Sequence, residues 1–349
     1  MTRLHPSPHR CPTPTCPSHL SRLPDLVFSH SRLKTRNGER RRRLCKACGR
    51  PSPSPSGRVC PRLRRSKADF DRVTQMQAEG MTKASIARVV GLSPSTVGRW
   101  LERGGRHAAA FNQVHVRVED PVEFQLDELH CKGVAAAART WAYSGLEVSS
   151  RLWSMLQVGN RTLRTTVLFT RQLARIVGVR STSPLVGSDG FKYYRPAMRR
   201  IYEHTTLVYQ QVDNVYARGR VVRTSSRLVL GTKGALEEAR SRSEDSKRPN
   251  TSYIERLNLR KRMNCSFLRR RNAAPARRPE KIEQALELMR VFYNFVQRHS
   301  SLRFGTEKRT PAMQAGIFSR PLTIREIFSW VPPPPPAGRR RGAALGGRV

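Results

Sequence analysis

Apolar positions along this chain recur with two different periods, and the switch between them divides it. From residue 67 to 102 the spacing is helical: Phe70, Val73 and Met76 keep one face apolar until Gly80, and Thr82 to Val90 repeats the pattern. Gly91 marks a tight turn. Ser93 then supplies an N-cap and Pro94 a first helical residue for a third helix through Val97, Trp100 and Leu101. Ala87, Gly91 and Val97 suit the packing of a helix-turn-helix, whose last helix enters the major groove. Ser95, Thr96 and Arg99 are therefore expected to face DNA, in an all-α domain at 61–106. A plain three-helix bundle is the alternative. The two glycines and polar run that follow read as a connector, with a linker at 107–120.

From Pro121 the period shortens to that of strands. Val122 to Asp127 alternates and ends in an acid, and two strand-like runs follow, around 140–143 and 146–156, with Gly145 as the turn between them. Residues 160–179 are helical in spacing, Pro184 to Ser188 is a short buried strand ending in Asp189-Gly190, Tyr193 to Ile201 suits a helix, and Thr206 to Val212 a strand. This order describes an α/β domain with a mixed sheet over 121–326. The stretch from Asn250 to Arg262 opens with cap-like residues behind Pro249 and runs on as a helix. Ile254 and Leu257 can anchor it, while Glu255, Asn258 and Arg262 share another face. Glu280 to Arg298 is a further amphipathic helix expected to pack under the sheet. Residues 218–247 fit no core element, and the Pro- and Arg-rich tail at 327–349 is expected to be disordered.

Composition weights these patterns toward a polyanion. The 349 residues hold 66 Lys and Arg against 25 Asp and Glu, a net charge of +41, which favours nucleic acid, here double-stranded DNA, as the partner. An anionic membrane is the rival, weakened because no apolar run of about 18 residues is present. Without an apolar leader segment, the expected setting is the cytoplasm, in association with the nucleoid. Seven cysteines, an odd number, do not suit a disulfide framework. Four of them form two knuckles, Cys11 with Cys16 and Cys45 with Cys48 before Gly49. Residues 1–60 are therefore read as a zinc-ribbon-like basic module, with reduced thiols in a disordered basic tail as the alternative. Residues 50–58 read as a linker, and Cys60, Cys131 and Cys265 as ordinary thiols.

The candidate chemistry lies in three acids. Asp127 and Asp189 stand at strand ends and Glu255 on a helix, and carboxylates so placed make an oxygen cage suited to Mg²⁺ or Mn²⁺. Two such ions about 4 Å apart can activate an attacking oxygen and stabilise a leaving one in a phosphodiester displacement. Glu128 rivals Asp127, but strand alternation turns the two to opposite faces, so only one is expected to join the cage. Between Arg256 and Arg278 nine Lys or Arg occur with no acid, a candidate DNA track that includes Arg256, Arg260 and Lys261.

Several of these residues form motifs. Leu126-Asp127-Glu128-Leu129, Trp141, Ser188-Asp189-Gly190 with Tyr193, Tyr253-Ile254-Glu255-Arg256 with Asn258 and Arg262, and Asn294 to Gly316 with His299 resemble those of the insertion-sequence-one transposases. The resemblance spans about residues 10–326. It implies a ribonuclease-H-like mixed sheet with flanking helices, preceded by a zinc ribbon and a helix-turn-helix. It also implies an Asp127–Asp189–Glu255 metal-binding triad, Arg262 near the transferred phosphate, Asn258 on the same face, and His299 approaching the site. The implied function is a DNA transposase that binds the terminal inverted repeats of an insertion sequence. It would cleave 3′ ends and join them to target DNA with two Mg²⁺ or Mn²⁺ ions, as a dimer or larger assembly on DNA, with structural zinc at the cysteines. The alternative is an inactive copy, or a regulator that uses only the N-terminal modules.

Overall fold

The fold is described from a computed structural model, covering residues 11, 16–20, 26–35, 38–53, 63, 65–131, 139–217, 220–243, 250–269, 275–276 and 278–330. The chain forms two compact units, residues 1–67 with 328–349 and residues 68–327. In the first, a turn of helix α1 (Pro17–Leu20) precedes an antiparallel sheet in the order β1 (Val27–Thr35), β2 (Gly38–Cys45), β3 (Pro51–Pro53). Pro51–Pro53 pairs with β2 where the sequence reading has a linker. Residues 54–58, Cys60 and the tail from 331 lie outside the described residues.

The second unit opens with three helices, α2 (Lys67–Ala78), α3 (Lys83–Val90) and α4 (Pro94–His115). Thr82 caps α3 by accepting from the Ser85 N–H, and Gly91 ends it at φ +62°, a left-handed conformation that glycine adopts without strain. Ser93 caps α4 by accepting from the Thr96 N–H, with Pro94 in its first turn, as expected from the sequence. The three helices close on Phe70, Val73, Ile86, Val97 and Trp100, all buried. One expectation fails: α4 does not end at a linker but continues through Gly104 and Gly105 to His115. A Cβ at Gly105 would stand 2.7 Å from the backbone oxygen of Gln284, so the glycine that reads as a breaker is a close-approach point.

Six strands form the central sheet, in the order β6 (Leu152–Asn160), β5 (Thr140–Glu147), β4 (Glu123–His130), β7 (Leu185–Ser188), β8 (Val208–Ala217), β9 (Arg220–Leu230). β4, β7 and β8 are mutually parallel, and the others run antiparallel to their neighbours. Helices α5 (Leu163–Val177) and α6 (Tyr194–Tyr202) pack on one face around Phe124, Leu126, Tyr143, Phe169 and Tyr194. Helices α8 (Ser252–Asn264) and α9 (Pro279–Val291) pack on the other around Leu129, Trp153, Ile254, Leu257 and Leu286. An antiparallel meander, a parallel strand on each side of a crossover helix, and helices on both faces make this the ribonuclease-H-like mixed sheet.

Two further expectations change. Gly145 is not a turn: β5 runs through it, paired with Met155 of β6, whose side chain occupies the space a Cβ would need, and the chain reverses instead near Arg151 at φ 59°. Within 218–247, which fit no core element in the sequence, the described residues supply β9 and α7 (Lys233–Arg242), whose Ala239 is buried beside Leu185 and Val208. After α9 come a π-turn over Phe292–Val296 and a small hairpin of β10 (Arg303–Phe304) and β11 (Glu307–Lys308). Last are α10 (Pro311–Gln314) and α11 (Ile324–Ser329), which extends past residue 327, where the sequence reading starts a tail. No helix among the described residues is long and apolar enough to cross a membrane.

Candidate functional site

Parallel register places the acids. Leu126 of β4 lies opposite Ser188, the last residue of β7, so Asp127 and Asp189 follow side by side where this parallel pairing ends, while β4 itself continues to His130 beside β5. In open α/β sheets this is where ligands bind. Ser188 in turn pairs with Gln211 of β8, which sets Asp213 just beyond the end of β7. From the helical face, α8 brings Glu255 in its first turn. Together Asp127, Asp189, Asp213 and Glu255, with Leu126, Gly190, Val212 and Thr251, line a cleft of about 330 Å³.

Each carboxylate is held differently. Asp127 accepts from the Glu128 N–H at 2.8 Å through Oδ1 and from the Asn258 side-chain amide through Oδ2. Asp189 accepts from the Phe191 N–H at 3.1 Å, and Glu255 from the Thr251 hydroxyl at 2.7 Å. Asn250 docks the start of α8 on the sheet: its Oδ1 accepts from the Ser252 N–H and from the Gln125 side chain, whose own oxygen accepts from the N–H groups of Tyr253 and Ile254. Burial and the neighbouring Asp189 charge push Asp127 up to about 6, against the pull of Lys261. Burial likewise raises Asp189, with Asp213 and Glu255 adding to it.

The tightest acidic cluster is not the expected triad. Among the described residues, the carboxylates with oxygens all within 4.8 Å of one another are those of Asp127, Glu128 and Asp189. Glu255 lines the same cleft but does not complete such a cluster. The expectation that alternation keeps Glu128 out of the cluster fails, because Asp189 follows the last residue of β7 and its carboxylate lies within 4.8 Å of both Asp127 and Glu128. Burial, then the charges of Asp189 and Asp127, push Glu128 up to about 8, although Arg161 opposes them.

The other expected residues separate by exposure. Asn258 is buried, its amide turned onto Asp127, while Glu255 and Arg262 are exposed, so the shared face of the sequence reading splits. Arg256 is exposed, whereas the Arg260 guanidinium is engaged by Gln297 and lies over the Tyr293 ring. Lys261 cannot serve as a DNA contact in this structure. It is fully buried, donates to Ser144 Oγ at 2.8 Å, and is lowered to about 8 by desolvation. Its place is behind Asp127, since Ser144 is the β5 residue opposite that aspartate. His299 is also buried, with Nε2 3.1 Å from the Tyr293 carbonyl, and it does not line the cleft. Ser95 and Arg99 are exposed on α4 and Thr96 is half-buried. Sequence reading misses Asp213 and sets Glu128 aside. An acid one residue past the strand read at 206–212 was the available signal for the first.

In the N-terminal unit, Cys11, Cys16, Cys45 and Cys48 bring four Sγ atoms within 4.8 Å of one another. Cys11–Cys48 and Cys16–Cys45 each measure 3.6 Å. Four thiolates around zinc at about 2.3 Å stand roughly 3.8 Å apart, so the donor set fits that ion. Gly49, at φ +64°, closes the knuckle by donating to the Cys45 carbonyl at 2.8 Å. Burial opposes ionisation of Cys45, but hydrogen bonds from Ser18 and from backbone N–H groups outweigh it and bring the thiol down to about 6.

No protein-family model matches the chain, and no curated protein matches it. Among solved structures it is similar to the catalytic core domain of BIV integrase, at 15% identity over 55% of this chain and 91% of that one, with a TM-score of 0.23. The strand order of the sheet, β6-β5-β4-β7-β8-β9, by itself defines the fold.

Proposed function

We propose that this chain is a DNA transposase that cuts the ends of a mobile element and joins the 3′ ends to target DNA. One observation carries the reading: acids from two adjacent parallel strands, where their pairing ends, and from a packed helix line a single cleft, on a chain of net charge +41. Oxygen donors, partly desolvated and crowded enough to repel one another, fit a hard divalent cation such as Mg²⁺ or Mn²⁺. When bound, such cations supply activation of an attacking oxygen and charge stabilisation at the leaving one. Asp127, Asp189 and Glu255 would hold them. Asn258 fixes the orientation of Asp127, and Lys261 behind it offsets part of the acidic charge. Exposed Arg256 and Arg262 on α8 would take the DNA backbone beside the cleft, and Ser95, Thr96 and Arg99 on α4 would read the element ends. The cysteine cluster would hold structural zinc, and two ends held together imply a dimer or larger assembly.

The test is Mg²⁺-dependent cleavage and joining of a labelled duplex carrying the terminal sequence of the element that encodes the chain. Wild type is expected to produce nicked and joined species. Asp189→Asn and Glu255→Gln are expected to lose at least 100-fold in both products, because charge stabilisation of this kind contributes on the order of 10²–10³ in rate, while their gel-shift affinity for the end stays within a few-fold. Wild-type rates in those variants would sink the reading.

A further inference from the structure

Glu128 has a feature that ion pairing with Arg161 does not explain. Its side chain is 1% exposed, and Oε1 alone takes both hydrogen bonds from Arg161, from Nε at 3.0 Å and Nη2 at 2.5 Å. Arg161 is held in that pose by its guanidinium lying over the rings of Trp141 at 4.4 Å and Phe191 at 4.1 Å. The second oxygen, Oε2, is sealed from solvent and takes no hydrogen bond among the described residues; the nearby Tyr194 hydroxyl, also buried, is likewise left without a partner beside this carboxyl. Burying a carboxyl oxygen without a partner is costly, and in native proteins such an atom calls for an ion or water. The same carboxylate belongs to the cluster with Asp127 and Asp189. Ligand oxygens of an octahedral ion with bonds of about 2.1 Å stand roughly 3 to 4 Å apart, so modest tightening of that cluster closes a site.

We infer that Glu128, together with Asp127 and Asp189, forms the first divalent-cation site of the cleft in the absence of DNA, with Glu255 outside it. The inference rests on the cleft being a divalent-cation site, and it changes which residues hold the first ion. Arg161 occupies Oε1 and leaves Oε2 for the cation, while its own positive charge opposes the ion. Glu255, tied to Thr251 at 2.7 Å, is left for the later step in which DNA is present.

The probe is Mn²⁺ alone, titrated into the full-length, zinc-loaded chain and followed by the loss of its free-ion paramagnetic resonance signal. Wild type is expected to bind at least one Mn²⁺. Glu128→Gln, which keeps the shape of the side chain, is expected to weaken that binding at least ten-fold, and Glu255→Gln by less than three-fold. Arg161→Met separates a ligand from a structural ion pair: the ligand role predicts Mn²⁺ affinity retained or raised, the structural role predicts the same loss as in Glu128→Gln. Thermal melting without Mn²⁺ confirms that each variant is folded. Wild-type affinity in folded Glu128→Gln, or equal losses in the Glu128 and Glu255 variants, overturns the inference and leaves the proposed function standing. A wild-type chain that binds no Mn²⁺ overturns both.

Discussion

Glu128 and Lys261 are the two residues whose surroundings say most about the cleft. Both are buried ionisable groups near Asp127, one acidic and one basic. The Glu128 carboxyl titrates near 8 in the folded chain, against about 4.3 for an unfolded glutamate. The folded state therefore keeps this proton where the unfolded state has lost it, and stability falls as pH rises from roughly 4 to 8. Asp127, at about 6, adds to the fall over the lower part of that window. In buffer free of divalent cations other than zinc, the melting temperature of wild type is expected to drop between pH 5 and 8 by more than that of Glu128→Gln. Parallel curves would contradict the assignment of this proton. Neither environment was readable from the sequence. Lys261 stands in a run of cations that reads as a DNA track, and only the 100° step of α8 and its docking on β4 and β5 turn it inward.

Among the elements, α4 shows how packing overrides local signals. Its two consecutive glycines read as a helix end, yet the helix passes through them because α9 lies against that turn. The Asn112 side chain donates to the Glu287 carbonyl on α9 at 3.1 Å, and His107 Nε2 lies 2.8 Å from the Ile327 carbonyl. Two substitutions on this one helix should have opposite signs. At Gly105 a methyl group meets Gln284 backbone at 2.7 to 2.8 Å, so Gly105→Ala is expected to destabilise by about 1–3 kcal/mol, the usual range for overpacking. At Gly98 the nearest atom is the Lys83 Cδ at 3.5 Å, so Gly98→Ala is expected to stabilise by up to about 1 kcal/mol through helix propensity. Denaturant melts of the two variants check both signs. The π-turn after α9 makes a similar point. Asn294 belongs to a motif that reads as functional, but its side chain donates to the Trp153 carbonyl and accepts from the Trp153 N–H, both at 3.0 Å. It pairs the free edge of β6, which is a structural task.

For the whole molecule, charge and register act at different ranges. With 66 basic residues against 25 acidic ones, affinity for duplex DNA should fall steeply with salt, log Kd rising by roughly 0.9 per phosphate contact for each tenfold increase in salt. If Arg99 and Arg262 each neutralise one phosphate, Arg99→Ala and Arg262→Ala should each reduce that slope by about 0.9 in fluorescence-anisotropy titrations, whereas Lys261→Met, at a buried position, should leave it unchanged. A slope change in the last variant would contradict the placement of Lys261 behind Asp127. The sequence by itself determined what depends on near neighbours along the chain: the capped helices at Thr82 and Ser93, the strand carrying Asp127 (though not its end, which is His130), the short strand before Asp189, the helix carrying Glu255, and the paired cysteines. These follow from hydrophobic period, capping and knuckle spacing, which a window of a dozen residues contains. Tertiary structure alone decided which acids meet. Asp189 stands beside Asp127 because β4 and β7 pair in parallel with Leu126 opposite Ser188, a register no local pattern encodes. Glu128 joins them because β7 stops at Ser188 while β4 runs on to His130, so Asp189 leaves its strand beside both Asp127 and Glu128.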